Sequence, residues 1–488
     1  MLKSPDAEYA DVVVVGGASA GYAAAVAASH AGAERVIILE KAPRDSVGGS
    51  CRFSLMGFRF AHGGTDDILA LLGDNAPPSA NIEIRPYPSS EFLSDLNQVT
   101  QGRINQELAA ILAEDSAEAI EWMTELGHRW QFFHGRVERD GRAHYNPGTV
   151  LCPADGGLGL IEQWIKVGDD LGIELRTDSR LTAILGDHRG VHGVRVLGPE
   201  KEYEISADSV ILASGGFQAS AERRGSYLPA NADLMKVRGS RHNTGEVLGM
   251  AIDLGASTSG QWQGAHASPV AIDAPAVEMD NHVNRYAYPF GITVDKHSQR
   301  FFDEGERHRT YTYAKTGWAV LRQDGGVAYQ IYDQQSKDFF PSAYAKAEVT
   351  SAPTIRELAV AIGLDPDALE ATVTEFNNSI DHSVRFDPTR EDGRGTKGLV
   401  PKKTNWARPI AEPPFLAYGV TGGITFSFGG IEVNRSSQVI NTGGDPIKGL
   451  YANGDIVGLF YHNYPSCSGM TRNVVFGGRA GAAAAGIS

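Results

Sequence analysis

Cysteine is scarce in this sequence, with three residues among 488. Cys51, Cys152 and Cys467 lie far apart and form no CxxC pair, no haem-attachment motif and no zinc-ligand spacing. Three thiols cannot supply a four-cysteine iron–sulfur site. We therefore expect no metal centre and no redox-active disulfide, and the free thiols favour a cytoplasmic location.

Long apolar runs and an excess of positive charge are also missing. The apolar stretch from Val12 to Ala28 is interrupted by glycines, which favours a strand, a turn and a helix over a membrane span. The first residues, Met1 to Asp11, are polar and acidic, unlike a signal peptide. The net charge of −15 argues against nucleic-acid binding but permits a locally positive site for a small anion.

Glycine is abundant, with 57 residues, and its pattern begins in a strand–turn–helix unit. The β-branched run Val12–Val15 predicts a buried parallel strand. An alanine-rich helix is expected over Tyr22–Ala31, and a second strand over Arg35–Leu39. The unit predicts an α/β domain built on a parallel sheet.

The turn of this unit carries a phosphate-binding pattern. Gly16 permits the turn and Gly21 lets helix and strand pack closely, while Ala18 stands where the middle glycine is usual. Glu40 ends the second strand, where an acidic side chain accepts hydrogen bonds from ribose hydroxyls. Together these residues predict a dinucleotide site.

Two distant segments resemble parts of flavoproteins and so favour FAD. One runs from Leu212 to Phe217, and the other from Gly449 to Asp455. In that resemblance Asp455 holds the ribityl chain. The helix that follows directs its positive N-terminal end at the flavin, where it stabilises the negative charge of the reduced ring.

Over nearly its whole length the chain resembles the flavoproteins that include fumarate reductases, 3-ketosteroid 1-dehydrogenases and tricarballylate dehydrogenases, with the strongest likeness to the last. The segments that carry the resemblance are Gly48–Ser50, Arg238–Ser240, Asn243–Glu246, Ala265–Ala267, Arg300–Gly305, Gly423–Phe426, Asn463–Pro465 and Phe476–Gly481.

The resemblance implies a Rossmann-like FAD-binding domain with an inserted α+β cap domain and an active site at their junction. From the change in sequence texture we expect the N-terminal part of the FAD domain over residues 1–260, the cap over 261–414 and the C-terminal part over 415–488. The residues expected to bind FAD are Gly16, Gly17, Ala18, Ser19, Ala20, Gly21, Glu40, Lys41, Gly48, Gly49, Ser50, Ala213, Ser214, Gly215, Gly216, Asn453, Gly454, Asp455, Ser468, Gly469 and Met470.

Three departures from the family pattern narrow the expected substrate and the expected mode of FAD attachment. Phe426 and Tyr464 stand where fumarate reductases carry a histidine and an arginine that bind substrate, so simple fumarate reduction is not expected. The Tyr464–Pro465 pair instead resembles ketosteroid dehydrogenases, whose tyrosine polarises a carbonyl. Ser50 is in the place of the usual attachment histidine, which predicts non-covalent FAD.

Three side chains are the candidates for catalysis. The resemblance makes His266 a substrate contact, although a structural histidine in a strand is the alternative. Arg309 suits a carboxylate ligand or a proton relay, or else is a surface charge. Tyr464 can donate a hydrogen bond to a carbonyl or act as an acid or base, or else is a core tyrosine.

The sequence therefore predicts an FAD-dependent oxidoreductase that acts on a CH–CH bond next to a carboxyl or carbonyl group, by hydride transfer to flavin N5. The substrate is a small carboxylate or carbonyl compound, and a protein, a quinone or oxygen is the separate electron acceptor. The alternatives are a ketosteroid-like or other enone desaturase or reductase, and a non-catalytic subunit that relays electrons.

Overall fold

The computed structural model describes residues 8–55, 57–77, 82–133, 137–139, 141–187 and 189–486. Two compact units make up the chain. The first combines Met1–Leu228, Gly239–Ala265 and Phe426–Ser488, and the second combines Pro229–Arg238 with His266–Thr425. These units divide at 265/266 and 425/426, whereas the sequence predicts domain boundaries at 260/261 and 414/415, and residues 229–238 belong to the second unit.

The first unit is built on a mixed sheet whose centre is parallel. Its main strands lie in the order Gln438–Ile440, Pro446–Ala452, Glu202–Leu212, Glu8–Val15, Val36–Leu39, Glu174–Arg176. Gly190–Leu197 pairs with Glu202–Leu212 and in turn with Arg180–Asp187, both antiparallel. The valines of the first strand are almost completely buried, as a sheet covered on both faces requires.

Glu202–Leu212 is one continuous strand, although its sequence predicts two short strands, Tyr203–Ile205 and Ser209–Ala213. Ala207 pairs with Ala10 in the parallel ladder, so the hydrogen bonding runs on through the polar middle of the segment.

The first helix, Ser19–His30, packs on the last one, Ser468–Ala485. A Cβ at Gly481 would lie 2.1 Å from the carbonyl oxygen of Ala24, and one at Gly477 would lie 2.7 Å from the Ala23 Cβ. The two helices therefore approach closely because both contact faces carry small residues.

The apolar periodicity of Asn105–Leu126 predicts one helix, but the structure has two, Gln106–Glu114 and Ser116–Glu125. Asp115 separates them with ψ near zero. Its carboxylate accepts two hydrogen bonds from Arg479, at 2.9 and 2.7 Å, and this long-range ion pair is consistent with the break. Further helices and strands of this unit are Thr65–Leu72, Ser89–Thr100, Gly156–Asp170, Ala221–Tyr227, Glu246–Asp253, Ile82–Glu83, Trp130–Phe132, Val137–Arg139, Arg142–His144, Leu151–Pro153, Thr258–Ser259 and Gly430–Ile431.

The second unit is organised around the long strand Phe415–Ser427. Val327–Tyr332 and Thr350–Ala352 pair with it antiparallel, and Lys236–Val237 pairs parallel. The other elements are Ala265–Ala271, Ile292–Val294, Tyr313–Leu321, Ile355–Ile362 and Pro366–Ser379. Within the described ranges, no helix is long and apolar enough to cross a membrane.

Candidate functional site

The turn after the first strand has the geometry that its glycines predict. Gly16 has a φ of +117°, and a Cβ there would lie 2.4 Å from the carbonyl oxygen of Ala213. A Cβ at Gly21 would lie 1.9 Å from the carbonyl oxygen of Gly16. Ala18 has extended backbone angles, φ −109° and ψ −176°, which any residue adopts. The backbone angles of the middle position therefore do not require glycine.

The main chain fixes the Glu40 carboxylate at the end of the second strand. One oxygen accepts from the Gly17 amide at 2.9 Å, and the other from the Ala42 amide at 2.8 Å. The next side chain, Lys41, donates to Thr244 and Glu246, both at 2.8 Å. An oriented carboxylate and a paired lysine thus stand side by side at the strand end.

These groups face a cleft within the first unit, with an empty volume of about 880 Å³, open solvent included. Ligand sites of small molecules and cofactors are typically of this size. The expected residues that line the cleft are Gly16, Gly17, Ala18, Ala20, Glu40, Lys41, Gly49, Ser50, Ala213, Ser214, Gly215, Gly454 and Asp455.

The remaining residues that were expected to bind FAD do not line the cleft. These residues are Ser19, Gly21, Gly48, Gly216, Asn453, Ser468, Gly469 and Met470. The Asn453 amide nitrogen donates to the carbonyl oxygens of Ala20, at 3.1 Å, and Asn473, at 2.7 Å. It thereby ties together the helices Ser19–His30 and Ser468–Ala485, which contribute Ala20 and Asn473 to the lining of the cleft.

Sequence reasoning missed several lining residues, among them Arg180, Leu181 and Asn473. No spacing rule connects them to the glycine turn. The segment Asn243–Glu246 carries part of the family resemblance, but its residues were not among those expected to bind FAD. In the structure Asn243 donates to the Ser50 hydroxyl at 3.0 Å, and this contact fixes the loop that borders the cleft.

The cleft suits a dinucleotide. The helix Ser19–His30 has neither an acidic residue in its first turn nor a side-chain cap, so its N-terminal amides are available to a pyrophosphate. Asn473 Oδ1 is buried and accepts no hydrogen bond from the described residues. An acceptor of this kind fits a hydroxyl or N–H donor of the cofactor.

Tyr464 precedes the last helix and lies in an aromatic cluster of the first unit. Its ring meets Phe426 edge-on at 5.2 Å and Phe460 at 5.4 Å, centroid to centroid. The side chain is 7% exposed. A tyrosine between aromatic rings can present its hydroxyl in a defined direction, and this suits a hydrogen bond to a carbonyl.

Arg59, fully buried, fixes the segment that carries Tyr464. It forms an ion pair with Asp95 at 2.7 Å and donates from Nε to the carbonyl oxygen of Ser466 at 2.8 Å. Its main-chain amide and carbonyl both bond to the Thr471 hydroxyl. Arg59 therefore acts as a structural anchor between segments more than 400 residues apart in sequence.

In the second unit, His266 lies in the strand Ala265–Ala271, with its ring edge-on to Tyr313 at 4.9 Å. Burial, reinforced by the charge of Arg238, lowers the pKa of His266 well below its ordinary value. The imidazole is therefore neutral at pH 7, and it can offer a hydrogen bond but not a positive charge.

Arg309 is partly buried at the start of a short 3₁₀ turn. Burial lowers the pKa of its guanidinium, while the tyrosines Tyr288, Tyr344 and Tyr286 favour its charge. Among the residues that the structure describes, no carboxylate pairs with it. Its neighbour Arg307, by contrast, is 3.2 Å from Glu391. Within the described part of the chain, Arg309 thus has no counter-ion.

Residues 11–470 match the family described as FAD binding domain. An NADH:fumarate oxidoreductase of Klebsiella pneumoniae is 28% identical over 92% of this chain, which spans 44% of that protein. A probable fumarate reductase of Shewanella frigidimarina is 28% identical over 97% of this chain and 74% of its own length.

A solved structure shares the fold. The 3-ketosteroid-Δ4-(5α)-dehydrogenase of Rhodococcus jostii superimposes with a TM-score of 0.73 at 23% identity, covering 99% of this chain and 98% of that one. The expected fold, an FAD-binding domain of the fumarate reductase flavoprotein type, is confirmed.

These matches define the class as FAD-dependent oxidoreductases that act on CH–CH bonds. The chain belongs to the FAD binding domain family, and FAD is its cofactor. The predicted cofactor and reaction class are thereby confirmed.

Proposed function

We propose that this protein interconverts a carbon–carbon single bond and a double bond next to a carboxyl group, as a tricarballylate-dehydrogenase-like enzyme. The observation that carries the proposal is Arg309, a partly buried guanidinium with no carboxylate partner among the described residues. Arginine stays charged at neutral pH, so a desolvated one requires an anion. A substrate carboxylate supplies it in bidentate geometry.

A second group supports this assignment. The Tyr286 hydroxyl is buried and has no hydrogen-bond partner within the described part of the chain. Its ring meets Tyr313 edge-on at 5.0 Å, and Tyr313 also contacts His266. A buried hydroxyl without a partner costs roughly 1–3 kcal/mol, and a ligand oxygen would remove that cost. We assign Arg309, Tyr286 and neutral His266 to substrate binding.

We assign Tyr464 to activation of the substrate carbonyl. When bound, FAD supplies the hydride acceptor or donor. A hydrogen bond from the Tyr464 hydroxyl to the substrate carbonyl oxygen would draw electron density from the α-carbon and make its proton more acidic. The buried rings of Phe426 and Phe460 around this tyrosine exclude water, which strengthens such a bond.

The second candidate is a ring enone as substrate, converted by a ketosteroid-like desaturase or reductase. The aromatic cluster favours it, because Phe426, Phe428, Phe460 and Tyr464 form an apolar wall suited to a flat ring. Arg309 is the reason for preferring a carboxylate, since an uncharged ring would leave that cation without a partner.

The other parts of the proposal concern cofactor attachment and surroundings. FAD is held non-covalently, because Ser50 offers no imidazole for attachment and its hydroxyl is engaged by Asn243. A separate acceptor, which is a protein, a quinone or oxygen, takes the electrons. The buried free thiols suit a cytoplasmic location.

The test is an anaerobic titration of the purified holoenzyme with tricarballylate, succinate and a 3-ketosteroid in turn. Bleaching of the oxidised flavin band by a carboxylate supports the proposal, and bleaching by the ketosteroid alone supports the second candidate. A protein that no compound bleaches, and that no unsaturated acid or enone re-oxidises after chemical reduction, would be a non-catalytic electron carrier.

Two variants localise the carboxylate site. Arg309→Gln should raise KM for the bleaching carboxylate at least tenfold, because an anion would lose its charged hydrogen bonds, worth roughly 1.5–3 kcal/mol. Arg307→Gln is the matched control, because its partner is Glu391. Equal KM values in both variants would remove Arg309 from the site.

A further inference from the structure

Arg472 is a buried cation at the edge of the cofactor cleft. It lies on the helix Ser468–Ala485, and its side chain is 2% exposed. One terminal nitrogen donates to Asp455 Oδ1. The guanidinium carbon lies 5.3 Å from the Phe460 ring centroid and 5.7 Å from that of Phe426. The charge is therefore held between one carboxylate and two aromatic faces.

Asp455 lines the cleft, whereas Arg472 stands behind it. The acidic residues that line the cleft are Glu40, Glu246 and Asp455. Glu246 is paired with Lys41 at 2.8 Å, and two amides hold Glu40. Asp455 has Arg472. Glu246 and Asp455 are thus each compensated by a cation, while Glu40 is stabilised by hydrogen bonds from two main-chain amides.

The negative charge of Asp455 needs a nearby cation because the cofactor is itself an anion. FAD carries negative charge on its pyrophosphate, and a lone carboxylate in the same partly desolvated cleft would repel it. With Oδ1 occupied by Arg472, no other group among the described residues binds the Asp455 carboxylate, so Oδ2 can accept a hydroxyl hydrogen bond without net charge. The arginine also adds positive potential behind the part of the cleft that Asp455 lines.

We propose that Arg472 is a positioning residue that neutralises and orients Asp455 toward the ribityl chain of FAD, and that its charge favours the reduced flavin. The inference rests on FAD as the cofactor and is independent of the substrate. It also gives the Arg472–Asp455 pair a role beyond fold stability.

The test uses holoenzyme carrying Arg472→Met, Asp455→Asn or both. Two properties are measured: the flavin midpoint potential by equilibration with redox dyes, and the temperature at which flavin fluorescence appears on release. Arg479→Met is the control, because Arg479 lies on the same helix and pairs with Asp115 at 2.7 Å.

Arg472→Met should weaken FAD retention and disfavour reduced flavin about tenfold, a fall of about 30 mV for a two-electron couple. Asp455→Asn should raise the potential, because a negative charge is lost. The double variant should return close to the wild-type potential, since both charges are gone. Arg479→Met should change neither property.

The proposal is overturned if Arg472→Met keeps the wild-type potential and release temperature, or shifts them no more than Arg479→Met does. If Arg472→Met yields no soluble holoenzyme, Asp455→Asn decides alone: a raised potential supports the proposal, and an unchanged one overturns it. Neither property involves substrate, so failure here is distinct from failure of the proposed reaction.

Discussion

Replacing Gly21 by alanine should weaken the binding of FAD to this protein. Gly21 lies inside the first helix, and a Cβ there would stand 1.9 Å from the carbonyl oxygen of Gly16 and 3.1 Å from its carbonyl carbon. Real Cβ contacts essentially never fall below 3.0 Å. The neighbour is main chain, so no side-chain rotation can relieve the contact, and helix and turn must separate by about 1 Å.

The magnitude follows from two opposing effects. Alanine gains about 1 kcal/mol of helix propensity over glycine. Overpacking against a rigid backbone costs about 1–3 kcal/mol, occasionally more. The turn carries the pyrophosphate amides, so most of this strain appears when the cofactor requires the native spacing. We expect FAD affinity to fall at least tenfold, which corresponds to about 1.4 kcal/mol.

The assay is titration of deflavinated protein with FAD, followed by flavin fluorescence. Gly478→Ala is the matched control: it is also a helical glycine, but nothing lies within 4 Å of its Cβ position. That variant should bind FAD normally and unfold at the same or a higher temperature. Wild-type affinity in Gly21→Ala would refute the close packing of turn and helix.

Three further predictions concern charge and burial. Burial lowers the pKa of His128 to about 4, so the unfolded chain takes up the proton first as the pH falls. Up to about 3 kcal/mol of the free energy of unfolding is therefore lost between about pH 6.5 and pH 4. Urea unfolding at several pH values should show a weaker dependence of this free energy on pH in His128→Gln, but not in the exposed His192→Gln. Asp95→Asn removes the carboxylate that pairs with the buried Arg59 charge, and should cost about 3 kcal/mol in the free energy of unfolding; a loss below about 1 kcal/mol would contradict the anchoring role. Glu40→Gln can accept from only one of its two main-chain amides, so FAD titration should show about tenfold weaker binding, and unchanged binding would mean that the carboxylate is not a ligand.

The sequence alone determined the cofactor, the class of reaction and the centre of the fold. A strand, a glycine turn, a helix and an acidic residue at the next strand end are close in sequence, so the geometry that binds a pyrophosphate and a ribose appears as fixed spacing. Gly16, Gly21 and Glu40 are therefore recognisable without coordinates. The family segments extend this reading to FAD because they recur as short continuous motifs.

The tertiary structure decided which charges meet. No spacing in the sequence connects Arg472 with Asp455, and only the folded chain brings them together. Arg309 stands among other basic residues in sequence, and only the folded chain shows that none of the described carboxylates pairs with it. Arg59 and Ser466 are brought together across more than 400 residues. Such pairings leave no periodicity or spacing in the chain, because burial and electrostatic compensation depend on distances in space.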